Sequence, residues 1–382
     1  MDHHATTPVD PRVLERMLPY FNECFGNASS IDHEYGAEAA RAVQNARQQV
    51  ASIINAQSDE IIFTSGATEA NNLSLLGATE QYAARGNHII TCATEHKAVL
   101  DTCHYLEHRG WQVTYLPVDG HGLVNPEDVR RAITPKTIII SIMVANNEIG
   151  VLAPIAEIGL IAREHDVLFH TDATQAIGHI PVDVEAMNID LLSMSAHKLY
   201  GPQGVGALYV RKRHPRVRLS PQLHGGGHER GMRSGTMNVP GIVGLGYAVE
   251  IAEKCMGRES NRLKELRDFL WIKLQQEIRI VQLNGHPVKR LPHNLNIAIP
   301  GAESRAILIQ LKHDVALSTG SACTSAQIQP SHVLIALGHG EERAHCSLRF
   351  GLGRGNTKAD VDFVVERIAT ALGRLSSFKA AI

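Results

Sequence analysis

Short apolar runs alternate with stretches of helical periodicity between residues 60 and 210. One example is TIIISIMVA at 137–145, which is rich in β-branched residues. The helical stretch after it begins with Pro154 at its predicted first position and turns Ile158, Ile161 and Ala162 to one face. Such alternation predicts a mostly parallel sheet covered by helices. The predicted strands lie at 60–66, 88–96, 137–145, 166–173, 189–195 and 204–210.

The sequence pattern changes after about residue 255. Two long helical stripes follow, with a short predicted strand, NLNIAI, at 294–299 between them. The stripe positions are Leu263, Leu266, Leu270 and Leu274 in the first, and Val361, Val364, Ile368 and Leu372 in the second. We therefore predict an α/β fold with two domains. A large domain with a mostly parallel central sheet covers 11–256, and a smaller α+β domain covers 257–382 together with 1–10.

Composition narrows the class of protein. The chain has 37 Lys and Arg against 39 Asp and Glu, so no basic excess indicates direct nucleic-acid binding. The longest apolar run is too short to span a membrane, and we expect no secretory leader before the first motif. The six cysteines are scattered without a CxxC pair, which favours free thiols in a reducing compartment over disulfides or a metal site. We expect a cytoplasmic protein.

Lys198 is the first candidate for chemistry. It follows the predicted strand at 189–195, stands beside Ser195 and His197, and leads into a glycine-rich turn. Ligands of α/β sheets bind at the carboxyl ends of strands. A lysine desolvated there has a lowered pKa and can form a Schiff base. The alternative is an ordinary surface lysine.

Asp172, in FHTDATQ, also follows an apolar run and is predicted at the end of its strand. Alone, it could be a helix cap. Together with Lys198 it favours a site for pyridoxal phosphate, whose pyridine nitrogen needs a carboxylate partner.

Three further strand ends carry polar residues. FTSGATEANN at 63–72 has the strand, glycine turn and helix of a phosphate site, to which Thr68 adds a hydroxyl. His96 could stack on a cofactor ring and handle protons, although a single histidine is more often structural. Asn147, in VANNEIG, could reach a phenolic oxygen of the cofactor, or the segment could be a simple turn.

Taken in order along nearly the whole chain, these motifs resemble those of NifS/IscS-type cysteine desulfurases. The motifs are ATTPVDPR, FTSGATEANN, TEHKAVLD, NNEIG, DATQ, HKLYGP, GGGHERGMRSGT, TGSACTSA and LRFGLGR. The resemblance implies a fold-type I transferase that depends on pyridoxal 5′-phosphate and converts L-cysteine to L-alanine. It also implies a homodimer, and the run into QPSHVLIALG is similar to the family group with the longer cysteine loop.

The resemblance assigns cofactor contacts by position. Lys198 would form the Schiff base and move the substrate Cα proton, Asp172 would pair with the pyridine nitrogen, and His96 would stack on the ring. Gln175 and Asn147 would contact the phenolic oxygen. The implied phosphate contacts are Ala67, Thr68, Ser195, His197 and, reaching the neighbouring subunit, Thr236.

Cys323 lies in LSTGSACTSA at 317–326, among small residues that offer no apolar cage; the alternative is a small buried thiol. The resemblance implies that its thiolate takes the sulfur of the substrate as a persulfide and delivers it to an acceptor, such as an iron–sulfur scaffold protein or a thiolation pathway. Arg349 would bind the substrate carboxylate, assisted by Asn27. We also hypothesise that Cys346 lies near the pocket and exchanges with the persulfide; a small core residue is the alternative.

Two other functions fit part of the pattern. Another fold-type I activity, such as aminotransferase or selenocysteine lyase, would use the lysine and aspartate but leave Cys323 without a role. A sulfur-carrier or scaffold subunit that has lost catalysis would be expected to lack Lys198 or Cys323, and both are present.

Overall fold

The computed structural model describes residues 1–319 and 329–380. Cys323 lies outside the described residues. Within the described part, no helix combines the length and the apolar character needed to cross a membrane.

A seven-stranded sheet forms the centre of the larger part of the chain, in the order β1-β7-β6-β5-β4-β2-β3. Its strands are β1 (Ile61–Thr64), β2 (His88–Cys92), β3 (Gln112–Leu116), β4 (Thr137–Ser141), β5 (Leu168–Asp172), β6 (Leu191–Ser195) and β7 (Gly206–Val210). Strand β7 runs antiparallel to both of its neighbours, and the other neighbours are parallel. The predicted mostly parallel sheet is confirmed. We did not predict β3, an edge strand whose half-buried residues give only a weak apolar signal.

Both faces of this sheet are buried. Alternate residues of a strand point to opposite faces, and Ile61 and Phe63 accordingly pack in one apolar cluster while Ile62 packs in another. A sheet covered on both faces needs strands that are apolar throughout, which explains the continuous apolar runs in the sequence.

Helices of the larger part cover these faces. They are α1 (Pro11–Met17), α2 (Pro19–Asn22), α3 (Glu34–Ser52), α4 (Ala67–Gln81), α5 (Lys97–His108), α6 (Pro126–Ala132), α7 (Ile155–Glu164) and α8 (Val239–Glu277). Ile158, Ile161 and Ala162 of α7 are buried, as predicted. We predicted Pro154 as the first helical residue, but it is the N-cap residue, one position before the helix begins.

The remainder contains a four-stranded antiparallel sheet in the order β10-β11-β9-β8. Its elements are β8 (Gln282–Leu283), β9 (Asn294–Ala298), α9 (Ser304–Leu311), β10 (Ser318–Thr319), α10 (His332–Ala336), α11 (Gly340–His345), β11 (Ser347–Gly351) and α12 (Lys358–Ala380). Both predicted helix stripes pack in one cluster with Ile297 and Phe350. Helix α8 continues without a break across the predicted domain boundary between residues 256 and 257. No change of secondary structure marks the boundary there, and it stays a prediction.

The first residues join the two sheets. The backbone N–H of His3 donates to the carbonyl of Gly351 in β11, and that of Thr7 donates to the carbonyl of His197 beyond β6. The N-terminal segment therefore passes directly beside Lys198.

Candidate active site

A cavity of about 540 Å³ opens beside the carboxyl ends of β1, β5 and β6. Parallel strands end at the same edge of a sheet, and this edge collects side chains that are far apart in sequence. The predicted site residues that line the cavity are Ala67, Thr68, His96, Asn147, Asp172, Gln175, Ser195, His197, Lys198 and Arg349.

Lys198 ends a short 3-10 helix, Ala196–Lys198, that follows β6 directly. Its Nζ donates hydrogen bonds of 2.6 Å to the carbonyl oxygens of His4 and Ala5. Burial, followed by the positive charge of Arg349, lowers the pKa of Lys198 to about 8. About one tenth of the amine is therefore neutral and nucleophilic at pH 7.

Asp172 is the last residue of β5 and is buried. Its Oδ2 accepts a 2.7 Å hydrogen bond from Asn71, and its Oδ1 accepts a 2.9 Å bond from the backbone N–H of Thr174. These donors orient the carboxylate at the cavity wall. A carboxylate held in this way can pair with a protonated ring nitrogen.

The turn before α4 leaves backbone donors open. Gly66 is the N-cap residue with φ of 151°, a conformation suited to glycine, and no side chain caps the helix. Gly206 of β7 packs against it, since a Cβ at Gly206 would come within 2.7 Å of Gly66 Cα. The N–H groups that start α4 line the cavity with the exposed Thr68, which is the arrangement that binds phosphate.

Two of the predicted histidines lie at the cavity. His96 caps α5, and its Nδ1 accepts a hydrogen bond from the N–H of Ala98, so its Nε2 carries the proton. Burial, and then the charge of Lys198, lowers the pKa of His197 to about 4. His197 is therefore neutral near pH 7; its Nδ1 lies 3.1 Å from Thr6 Oγ1.

Arg349, in β11, reaches the cavity from the second sheet. Its guanidinium donates to the carbonyl of Asn147 at 2.9 Å, and to Asp2 Oδ1 and Ser318 Oγ at 3.0 Å each. Its buried Nε has no hydrogen-bond partner among the described residues. An oriented guanidinium at the cavity wall suits a carboxylate ligand.

Three predicted residues are not brought to this cavity by the described structure. Thr236 is exposed and does not line it. Asn27 is also exposed, and its Oδ1 accepts from the N–H of Ser29. Cys346 is a buried free thiol outside the cavity lining, so its proposed exchange with Cys323 has no support from this position.

Sequence reasoning missed two cavity residues that hold the predicted ones. Asn71 lies one helical turn after Thr68 in α4, and that spacing could have found it. His4 contacts Gln175 and Lys198, which are more than 170 residues away in sequence, so no local signal could have found it.

The residues fit pyridoxal phosphate. The cavity has an amine of lowered pKa, an oriented carboxylate and an uncapped helix start, and its size is typical of small-ligand sites. Lys198, Asp172 and the start of α4 would hold its aldehyde carbon, ring nitrogen and phosphate, respectively.

Comparisons with known proteins identify the family of this chain. The family model of the class-V aminotransferases matches residues 1–364. Cysteine desulfurase IscS from Anaeromyxobacter dehalogenans (strain 2CP-C) is 54% identical over 375 residues, which cover 98% of this chain and 92% of the relative. A solved NifS-like protein is similar with a TM-score of 0.91 at 37% identity, covering 97% of this chain and 98% of the other. SspA in complex with cysteine has a TM-score of 0.81 at 39% identity, covering 92% and 97%.

Proposed function

The chain belongs to the class-V aminotransferase family, and from this membership and its cavity we infer that it is a cysteine desulfurase dependent on pyridoxal phosphate. The observation that carries this inference is the meeting of Lys198, Asp172 and Arg349 in one cavity. Its substrate is L-cysteine, in line with a similar protein solved in complex with cysteine.

When bound, pyridoxal phosphate supplies an electron sink for the bonds of the substrate Cα. Asp172 would keep a proton at the ring nitrogen, and Gln175 and Asn147 would contact the phenolic oxygen. Arg349 binds the substrate carboxylate and so fixes the orientation of the Cα–H bond. The amine of Lys198, neutral above its pKa of about 8, takes the Cα proton. The Nε2–H of His96 provides a second proton-handling group at the cavity wall.

Cys323 accepts the sulfur. Its thiolate forms an S–S bond to the sulfur of the substrate while the C–S bond breaks, and the carbon keeps the electron pair of that bond. A proton taken up at this carbon completes alanine, and Cys323 is left as a persulfide. The support is the sequence around Cys323, which lies outside the described residues.

The enzyme acts as a homodimer. A single chain exposes large apolar side chains in its first 35 residues, which a second copy would cover. They are Leu14, Leu18, Phe21, Phe25, Ile31 and Tyr35, with exposures of 46% to 69%. The exposure of Thr236, away from the cavity of its own chain, is consistent with a contact to the phosphate of the neighbouring subunit.

The sulfur passes from Cys323 to an acceptor protein, such as an iron–sulfur scaffold or a component of a thiolation pathway. Five cysteines of the described chain are free thiols, which is consistent with the predicted cytoplasmic location.

The test is the release of alanine and sulfide from L-cysteine in the presence of a reductant, by the wild type and by Cys323→Ala. We expect the wild type to make both products and the variant to make neither while still binding the cofactor. A Cys323→Ala variant as active as the wild type would show that another group accepts the sulfur. A wild type that binds pyridoxal phosphate but does not consume cysteine would overturn the proposed activity.

A further inference from the structure

Three buried histidine rings stack against one another behind Lys198. The centroid of His4 lies 4.5 Å from that of His293, and the centroid of His293 lies 4.0 Å from that of His179. The interplanar angles are 23° and 27°. The rings come from the N-terminal segment, the segment before β9 and the segment after β5, so only the tertiary fold brings them together.

His4 holds the side-chain amide of Gln175 from two sides. Its Nδ1 lies 2.8 Å from Gln175 Oε1, and its carbonyl oxygen accepts a 3.2 Å hydrogen bond from Gln175 Nε2. An amide oxygen can only accept, so His4 Nδ1 must carry the ring proton. The two bonds fix which end of the amide faces His4.

Two of these histidines, His4 and His179, also form hydrogen bonds with Lys198. The carbonyl of His4 accepts from Lys198 Nζ at 2.6 Å, as described above. At the other end of the stack, His179 Nε2 donates to the backbone carbonyl of Lys198 at 3.0 Å. The lysine side chain is therefore bonded to the backbone of His4, and its backbone carbonyl is bonded to the ring of His179.

We propose that His4 is a positioning residue for bound pyridoxal phosphate: its ring N–H orients Gln175 toward the cofactor, and the stack with His293 and His179 holds His4 beside Lys198. The inference rests on the proposed function, since it assumes that Gln175 and Lys198 meet this cofactor. His4 acts through Gln175 and takes no part in the reaction itself.

The rings are suited to this role because they are neutral. Burial lowers the pKa of all three imidazoles, and the positive charge of Arg349 also lowers that of His4. Neutral rings stack without repulsion, and a neutral His4 has one N–H, which Gln175 occupies. Its Nε2 has no hydrogen-bond partner among the described residues, so the contact to Gln175 is its one side-chain hydrogen bond in that part of the chain.

Two substitutions at His4 distinguish the contribution of the ring N–H from that of the aromatic stack. His4→Phe keeps an aromatic ring against His293 but removes the donor. His4→Asn removes the ring but keeps a donor: the Asn side-chain nitrogen is bonded to Cγ, as Nδ1 of histidine is. His3→Leu is the matched control, because His3 bonds the carbonyl of Gly351 and does not contact Gln175.

The measurements are the dissociation constant for pyridoxal phosphate and the visible absorbance of the bound cofactor, with folding checked by circular dichroism. We expect His4→Phe to weaken binding roughly three- to tenfold, the size of one lost hydrogen bond, and to shift the absorbance maximum. His4→Asn keeps the donor but loses the stack, so it should weaken binding less than His4→Phe does. His3→Leu should stay within about twofold of the wild type and keep its maximum.

A folded His4→Phe with unchanged affinity and absorbance would overturn the proposal. So would a His3→Leu variant that loses as much as His4→Phe, since the effect would then be general packing. If His4→Phe does not fold, the smaller His4→Leu replaces it in the same comparison. A wild type that binds no pyridoxal phosphate would instead contradict the proposed function, so the two failures are distinguishable.

Discussion

Asn71 Nδ2 donates a 2.7 Å hydrogen bond to Asp172 Oδ2, and both side chains are buried at the wall of the cavity. Helix α4, which presents Asn71, also starts at the proposed phosphate site. One helix thus supports the carboxylate for the ring nitrogen and supplies donors for the phosphate. The two ends of the cofactor would be held at a spacing set by a rigid element.

Replacing Asn71 with Leu should weaken cofactor binding. The buried carboxylate of Asp172 would lose a charge-assisted hydrogen bond, worth about 1.5–3 kcal/mol, and we expect roughly a 10- to 100-fold higher dissociation constant for pyridoxal phosphate. Titration of the cofactor-free chain, followed by visible absorbance, measures this constant.

Ser74→Ala is the matched control for Asn71. It removes a buried polar group from the same helix, one whose hydroxyl donates to the carbonyl of Ala70 and does not contact Asp172. Its affinity should match the wild type within about twofold. Equal losses in both variants would mean that the packing of α4, and not the bond to Asp172, governs binding.

The rate at which Lys198 couples to pyridoxal phosphate should rise with pH and level off above about pH 8. Only the neutral amine attacks the aldehyde, and burial with the charge of Arg349 lowers the pKa of Lys198 to about 8. About one tenth of the amine is then neutral at pH 7, against less than roughly one part in a thousand for an ordinary lysine. Stopped-flow absorbance of the cofactor-free chain between pH 6 and 10 gives the profile.

Arg349→Gln tests the electrostatic part of this assignment. Removing the positive charge should raise the pKa of Lys198, which moves the plateau to higher pH. A wild-type rate that keeps rising to pH 10 would contradict the lowered pKa. If the variant and the wild type have identical profiles, burial alone lowers the pKa of Lys198.

The ion pair between Arg47 and Glu229 should be important for stability. Both side chains are buried and joined by two hydrogen bonds of 2.9 and 2.7 Å, and Glu229 also accepts from the backbone N–H of Phe63. Glu229→Ala would leave a buried guanidinium without its counter-charge. We expect the free energy of unfolding to fall by about 3–5 kcal/mol, measured by urea denaturation.

A double variant and a surface pair provide the controls. Arg47→Met combined with Glu229→Met should lose clearly less than the sum of Arg47→Met alone and Glu229→Met alone, because no buried charge remains unpaired. Arg41→Ala breaks an exposed pair with Glu34 and should leave the unfolding curve unchanged. Strictly additive losses at Arg47 and Glu229 would refute coupling between them.

The sequence by itself determined the larger outlines of this protein. A sheet that is buried on both faces requires continuous apolar strands, and this requirement leaves a local signal in the sequence. The apolar runs, which alternate with amphipathic helices, predicted every strand of the large sheet except the half-buried edge strand β3. Lys198 and Asp172 were found because each follows such a run, and strand ends converge in a parallel sheet.

The tertiary structure alone decided how those residues are held. Asn71 and Asp172 are 101 positions apart, and His4 and Gln175 are 171 apart. Arg349 reaches the cavity from a different sheet. The lowered pKa of Lys198 likewise results from burial and from a charge distant in sequence. Hydrogen bonds and desolvation depend on distances in space, and the sequence pattern carries no record of which distant segments the packing of the two sheets brings within 3 Å.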